Sequence, residues 1–269
     1  LLGNLEAIRR GFATTPDDHS VIWLPPFHDM GLIGGLLEPI YTGFTATLMS
    51  PAAFAAKPLR WLAAVSRYGA TLSGGPNSAF DLCVQRATPE AVASLDLRRW
   101  RCAFVGAEPV RAATLERFAR TFAAAGMQRS RFFPCYGLAE ATLFVAGGYY
   151  EGTAEPGAGA PGLVCCGASP HARVRVIDPE RRTVVADGEL GEVWIEGAAA
   201  ARGYWNDPEA TRATFAGRLA DGSGPFLRTG DLGVFCAGQL RIAGRLRELI
   251  IVHGKNHHPQ DLEATASAA

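Results

Sequence analysis

Apolar positions mark the first element at once: Leu1, Leu2, Leu5, Ile8 and Phe12 fall on one stripe at helical spacing. From residue 20 to about 150, short β-like runs at 21–24, 45–49, 70–72 and 101–105 alternate with helical patterns near 58–68, 77–86 and 110–125. Such alternation predicts an α/β lobe, a parallel sheet with helices on its faces. Punctuation supports the helices: Pro58 suits a first turn, Thr88-Pro89-Glu90 is a capped start, and Gly126 follows three alanines as a terminator.

The pattern changes at 151–162, a stretch of Gly, Ala, Pro, Glu and Thr that cannot bury a face and reads as a loop. Beyond it, runs at 173–177, 191–196, 226–228, 232–235, 239–242 and 249–252 are joined by turn signals such as Asp187-Gly188. They predict a small β-rich, barrel-like subdomain, interrupted by one helix opening at Asp207-Pro208. The organisation expected is therefore an α/β lobe over 1–150, a loop over 151–162, a β-rich subdomain over 163–244, and a junction over 245–269 that begins a further unit. The first stripe has no N-cap ahead of it, and the chain reads as an internal piece of a longer one.

Composition narrows the function. Of 269 residues, 48% are hydrophobic and 19% charged, enough apolar material for a substantial core. Lys plus Arg (26) equals Asp plus Glu (26), so no global cationic field draws the chain to nucleic acid or anionic lipid. Cys83, Cys102, Cys135, Cys165, Cys166 and Cys236 form no C-x-x-C pair; they read as core residues of a protein in a reducing cytoplasm. The longest uncharged stretch, 39–56, is broken by two prolines, so no membrane insertion is expected.

Candidate chemistry lies at predicted strand ends, where open α/β sheets bind ligands. Tyr136-Gly137-Leu138-Ala139-Glu140 offers an aromatic face for a base and an acid for Mg²⁺ beside phosphates; a core tyrosine and a helix-start glutamate explain it about as well. Gly106-Ala107-Glu108-Pro109 allows close backbone approach to a flat ring, or is a plain turn. His28 stands at another strand end, and Ser73-Gly74-Gly75 is a further glycine loop. Arg228-Thr229-Gly230-Asp231 sets a carboxylate where it can accept from a vicinal diol such as ribose, though a polar turn fits too. Arg245 offers a guanidinium for a phosphate or ribose. The triad His253, His257 and His258 has ligand-like spacing, but Gly254 and Pro259 break the helix it needs. The cluster Arg98-Arg99-Trp100-Arg101 reads as a solvated edge. No G-x-S-x-G nucleophile elbow is present.

In order, WLPPFHDMGLIGG (23–35), SGGPNSAFDLC (73–83), FVGAEPVRAATLERFA (104–119), FPCYGLAEATLFVAGG (133–148), LRTGDLG (227–233) and GRLRELIIVHGKNHHPQDLE (244–263) resemble the adenylate-forming ligase superfamily, and most closely its fatty-acyl-AMP ligase branch. The resemblance implies a two-step reaction. A fatty acid and ATP give acyl-AMP and pyrophosphate, and the acyl group then passes to the phosphopantetheine thiol of an acyl carrier protein, or alternatively to CoA. It implies that Tyr136, Gly137 and the Gly106, Ala107, Glu108, Pro109 loop flank adenine, that Asp231 holds the ribose and that Arg245 assists at the nucleotide. By the same resemblance Glu140 binds Mg²⁺, His28 sits by the reacting groups, Ser73, Gly74, Gly75 and Phe80 line the acyl tunnel, and Arg247 is the hinge before a mobile C-terminal domain. The branch's phosphate-binding loop is expected ahead of the first helix and its catalytic lysine beyond Glu263; Lys255 is not that lysine. This stretch alone is thus expected not to make acyl-AMP, and a non-catalytic nucleotide- or acyl-binding fragment is the third reading. Between Gly148 and Val164 the chain is shorter than the branch's usual insertion, which keeps CoA open as acceptor.

Overall fold

The computed structural model describes residues 1–152 and 163–248, together with the backbone of 250–252, 255–257 and 266. In chain order the elements are α1 (Leu2–Gly11), β1 (His19–Ile22), a π-helix (Met30–Leu37) running into α2 (Glu38–Thr42), β2 (Thr45–Leu48), α3 (Pro51–Ala56), α4 (Leu59–Tyr68) and β3 (Leu72–Gly75). Next come α5 (Asn77–Gln85), α6 (Pro89–Ala93), β4 (Cys102–Val105), α7 (Ala112–Thr121), β5 (Phe132–Gly137) and β6 (Phe144–Gly147). The second lobe has β7 (Arg173–Asp178), β8 (Thr183–Val184), β9 (Gly191–Glu196), α8 (Pro208–Phe215), β10 (Leu227–Cys236) and β11 (Gln239–Arg245). A hairpin, β12 (Ile250–Val252) with β13 (Lys255–His257), follows.

The first sheet has strand order β2-β1-β3-β4-β5-β6, parallel except for the antiparallel last pair. Period-2 alternation makes it two-sided. Along β4, Ala103 and Val105 join a cluster under α4, α5 and α7, while Cys102 and Phe104 face α1 and the π-helix. The first cluster is knitted by edge-to-face aromatic pairs, Trp61 with Phe80 at 5.2 Å and Phe80 with Phe118 at 5.0 Å between centroids. The second sheet, order β11-β10-β9-β7-β8, is antiparallel and open, with β11 and β8 at its edges.

Local rules explain most boundaries. The Thr88 hydroxyl and the Asp207 carboxylate cap α6 and α8 by accepting from Ala91 N and Ala210 N. Gly126, at φ 93°, ends the short 3₁₀ turn after α7. Two expectations need correction. Leu1 and Leu2 are exposed, so only Leu5, Ile8 and part of Phe12 use the α1 stripe. The 98–101 cluster is not one solvated edge. Trp100 is fully buried and its indole N–H donates to Ser73 O and Cys102 O. The Arg101 guanidinium reaches Asp18 and the carbonyls of Phe12 and Ala13, because β4 starts beneath the α1–β1 connection. All six cysteines are free, and no helix among the described residues is long and apolar enough to cross a membrane.

Asp18 is the buried end of that pair. Burial pushes its pKa up, but Arg101, Thr71 and the Thr15 N–H outweigh this and hold it below the ordinary carboxylate value. Its stabilisation is therefore full above the ordinary value and is lost as pH falls toward the lowered one. Asp18→Asn should lower stability at pH 7 by about 2 kcal/mol, the scale of losing hydrogen bonds to a charged group. The difference from the parent should shrink below about pH 4, as read from urea midpoints across pH.

Candidate functional site

The carboxyl ends of β1, β4 and β5 deliver the 23–30, 106–109 and 136–140 segments to one edge of the parallel sheet. Close packing there requires glycine at two places. A Cβ on Gly137 would lie 1.8 Å from Leu143 O, and one on Gly106 would lie 2.8 Å from Cys135 O. Two adjoining cavities open at this edge. One of about 370 Å³ is lined by Ile8, Phe12, Met30, Gly34, Phe104, Leu143 and Phe144, with His28, Tyr136 and Glu140 among its polar groups. The other, about 310 Å³, runs between Ala107, Glu108, Pro109, Tyr136 and Gly137 on one side and Asp231, Gly244 and Arg245 on the other.

The antiparallel sheet brings Asp231 to Tyr136. The phenol donates to Asp231 Oδ2 at 2.7 Å and Arg245 Nε donates to Oδ1 at 3.2 Å. Burial pushes the Asp231 carboxyl above its ordinary value, with Tyr136 and Arg245 partly opposing. Burial and the neighbouring Asp231 charge push the Tyr136 phenol well above its own. Each carboxylate oxygen keeps a second lone pair for a further donor. The turn that aims Asp231 is itself held. Gly230 takes φ 72°, its N–H donates to Glu192 Oε1 at 3.2 Å, and Glu192 Oε2 pairs with Arg228 Nη2 at 3.0 Å. The Thr229 hydroxyl donates to Val193 O and accepts from Asp231 N. Glu192 escapes sequence reasoning because it reads as an ordinary strand residue; its only signal is a charge inside a run that should be buried.

His28 is half-exposed at the mouth of the larger cavity, its Nδ1 2.7 Å from Asp29 Oδ1. The Met30 N–H lies between the two, donating to Asp29 Oδ1 at 2.7 Å and to His28 Nδ1 at 3.2 Å, so Nε2 is the ring nitrogen without a partner in this cluster. Glu140 follows β5 in a 3₁₀ turn, where its Oε1 accepts from Tyr204 Oη at 2.7 Å and its carbonyl accepts from Ala201 N. Among the described residues no cluster of three or more His, Cys, Asp or Glu side chains could hold a metal by itself. A single carboxylate beside phosphate oxygens and water nevertheless suits Mg²⁺. Glu108, at the wall of the smaller cavity, has its carboxylate engaged, accepting from Ser78 N at the start of α5.

The 73–80 segment lies apart from both cavities. Ser73 and Phe80 are fully buried; Ser73 accepts from the Trp61 indole and donates to Val21 O. Gly75 backs onto Trp23, whereas Gly74 makes room for the Phe104 ring, which does line the larger cavity. Arg247 is exposed in the turn that follows β11. His253 and His258 lie outside the described residues, as does the side chain of His257.

A parallel sheet that presents a buried tyrosine, glycine turns and an acid at its carboxyl edge, closed by a carboxylate from a second sheet, is the framework of a nucleotide-using α/β enzyme. The chain belongs to the AMP-binding enzyme family, which it matches over residues 1–205. It is 41% identical over 293 aligned residues to the medium-chain-fatty-acid acyl-carrier-protein ligase TtuA of Teredinibacter turnerae, covering 98% of this chain and 46% of that protein. It is 42% identical to a 4-hydroxyphenylalkanoate adenylyltransferase of Mycobacterium tuberculosis, over 91% of this chain and 43% of that protein. The crystal structure of a fatty acyl-adenylate ligase from Legionella pneumophila, in complex with acyl adenylate and pyrophosphate, superposes with a TM-score of 0.86 at 42% identity. That match covers all of this chain and 50% of that one. The chain spans about half the length of the relatives it matches.

Because the folded state raises the pKa of Asp231, the native protein binds more protons there than the unfolded chain does. Stability therefore falls as pH rises from the ordinary carboxylate value through the raised one. Asp231→Asn keeps the acceptor for Tyr136 and removes this dependence. Its urea midpoint should equal or exceed the parent's at pH 7, and the advantage should disappear toward pH 4, near the ordinary carboxylate value.

Proposed function

We propose that this chain carries the nucleotide and acyl sites of an enzyme that activates a fatty acid with ATP. A carboxylate oxygen of the acid attacks the α-phosphorus, the bond to the departing pyrophosphate breaks, and acyl-AMP forms. A phosphopantetheine thiol of an acyl carrier protein then loses its proton and takes the acyl group, and AMP leaves. The observation that carries this reading is the junction of two cavities at Tyr136. One is mostly apolar, and the other is bounded by the Asp231 and Arg245 pair.

In this assignment adenine lies against Tyr136, Gly137 and the Gly106–Pro109 turn, and the ribose hydroxyls donate to Asp231. Arg245 keeps Asp231 ionised when nucleotide is bound. Glu140 is the residue that would hold Mg²⁺, which supplies charge neutralisation at the phosphates. His28, with Nδ1 turned to Asp29 and Met30 N, offers Nε2 beside the reacting carboxylate and phosphate. The acyl chain extends along Phe12, Met30, Gly34 and Phe104. The 73–80 segment shapes this wall from behind, since Gly74 admits the Phe104 ring. Arg247, exposed after β11, is the hinge position for a following domain. Free cysteines throughout suit a reducing cytoplasm. The relatives named as acyl-carrier-protein ligase and acyl-adenylate ligase support the substrate and the carrier. A related putative fatty-acid–CoA ligase, fadD21, makes CoA the acceptor to run in parallel.

Fatty-acid-dependent exchange of labelled pyrophosphate into ATP by the full-length enzyme tests the first step, and its absence would sink the proposal. Asp231→Ala should weaken ATP binding about tenfold or more, as expected for loss of charge-assisted bonds. Chain length is better probed at Gly34 than at Gly75. A Cβ on Gly34 would meet only Leu143 at 3.5 Å, whereas one on Gly75 would strike Trp23 at 2.7 Å and disturb the core. Gly34→Leu should shift the preferred acid toward shorter chains. An unchanged length profile would remove the larger cavity as the acyl site.

A further inference from the structure

Two residues beyond Glu140 the backbone takes an unusual form. Thr142 has φ 72° and ψ −68°, and Leu143 N donates to Ala141 O at 3.0 Å, which closes a γ-turn of the rare, strained sense. A β-branched residue at positive φ persists only where its surroundings over-determine it. The ties are visible. The Thr142 hydroxyl donates to Ala199 O at 2.8 Å, and Leu138 N donates to Leu143 O at 3.0 Å. The largest share comes from Asn4 on α1, which is fully buried. Its Nδ2 donates to Phe144 O at 2.7 Å and lies 3.5 Å from Ala141 O, and its Oδ1 accepts from Phe144 N at 3.0 Å.

We propose that Asn4 is a positioning residue for Glu140: from α1 it pins the strained turn at Thr142, and through that turn it sets where the Glu140 carboxylate points. This rests on the reading of Glu140 as the residue that holds Mg²⁺. The segment around Glu140 is tied at both ends. On one side Ala201 N and Tyr204 Oη hold its carbonyl and carboxylate; on the other, Asn4 grips the backbone from Ala141 to Phe144. Serving the backbone groups of Phe144 alone would not require the neighbouring turn to be strained. Removal of the Asn4 amide frees Phe144 O and Phe144 N and leaves Ala141 O with Leu143 N alone, which lets Thr142 relax to negative φ and rotates the short turn that carries Glu140. Asn4 itself lines neither cavity and touches no reacting group.

The test uses the full-length enzyme as parent, Asn4→Ala, Glu140→Gln and the double variant. The Mg²⁺ concentration for half-maximal pyrophosphate exchange is measured, together with Mn²⁺ binding to the enzyme–ATP complex by electron paramagnetic resonance. Amide hydrogen exchange is followed over residues 138–147. Asn4→Ala should raise the half-saturating Mg²⁺ and weaken Mn²⁺ binding about tenfold, the scale seen when a residue that orients a metal ligand is lost. Exchange over 138–147 should quicken, and in the Glu140→Gln background the added metal effect of Asn4→Ala should vanish. Parent-like metal dependence in Asn4→Ala, with Glu140→Gln clearly shifted, overturns the positioning role. An Asn4→Ala effect that persists undiminished without the Glu140 carboxylate overturns it as well. If Glu140→Gln shifts neither metal readout, the metal assignment itself falls and the proposal with it. Should Asn4→Ala fail to fold, Asn4→Asp keeps the oxygen that accepts from Phe144 N and loses the donated bonds. A smaller shift in the same direction then supports the role, and a parent-like value overturns it.

Discussion

The hydrogen bond from Tyr136 to Asp231 joins the two sheets, and much of the site depends on it. A carboxylate withdrawn from water is costly unless donors replace the lost solvation. Here the two donors come from different lobes, the phenol from the end of β5 and the guanidinium from the end of β11. The pair can form only if β5 and β10 approach closely, and the turn before Asp231 is braced for that by Glu192 and Thr229. The smaller cavity is the space this joint leaves open.

The parallel sheet determines where the other groups stand. Alternating residues bury an aromatic cluster on one face and a smaller cluster beneath α1 and the π-helix on the other, so the inner strands are buried on both faces and only the edge strand β2 is open. Chemistry is confined to the strand ends, where backbone groups and side chains leave the ladder. The glycines at 106 and 137 let three loops converge without steric overlap, and Gly34 leaves the larger cavity open beside them.

Glu140 shows how both lobes specify a single carboxylate. Its turn is gripped from the first lobe by Asn4 and Leu138 and from the second by Ala199, Ala201 and Tyr204. Neither lobe alone would fix the direction of the side chain. The strain at Thr142 is the local cost of meeting both sets of ties.

Periodicity and punctuation determined the order of most elements, the change from helix-rich to strand-rich at about residue 150, and the strand-end segments that carry Tyr136, Glu140 and Arg245; Asp231, expected in a turn between two strands, lies instead within the single strand β10, where its ladder with β9 is interrupted. These are local properties: spacing decides which face is apolar, and Gly, Pro and capping residues act within a few positions. Strand ends were less legible. The run expected at 70–72 only reaches the start of the observed β3, which extends through Ser73, Gly74 and Gly75 because its partners supply the ladder. Burial of Trp100, the Asp18–Arg101 pair and the core placement of Ser73 and Phe80 depend on contacts between residues far apart in the chain. The same holds for the buried carboxylate of Glu192 and for Asn4, 140 positions from the strand it grips. Sequence pattern could nominate which residues carry chemistry, because residue type and local spacing are enough for that. Which of them meet, and what holds them there, was decided by tertiary structure, since a buried polar group must find its partner wherever the fold brings one.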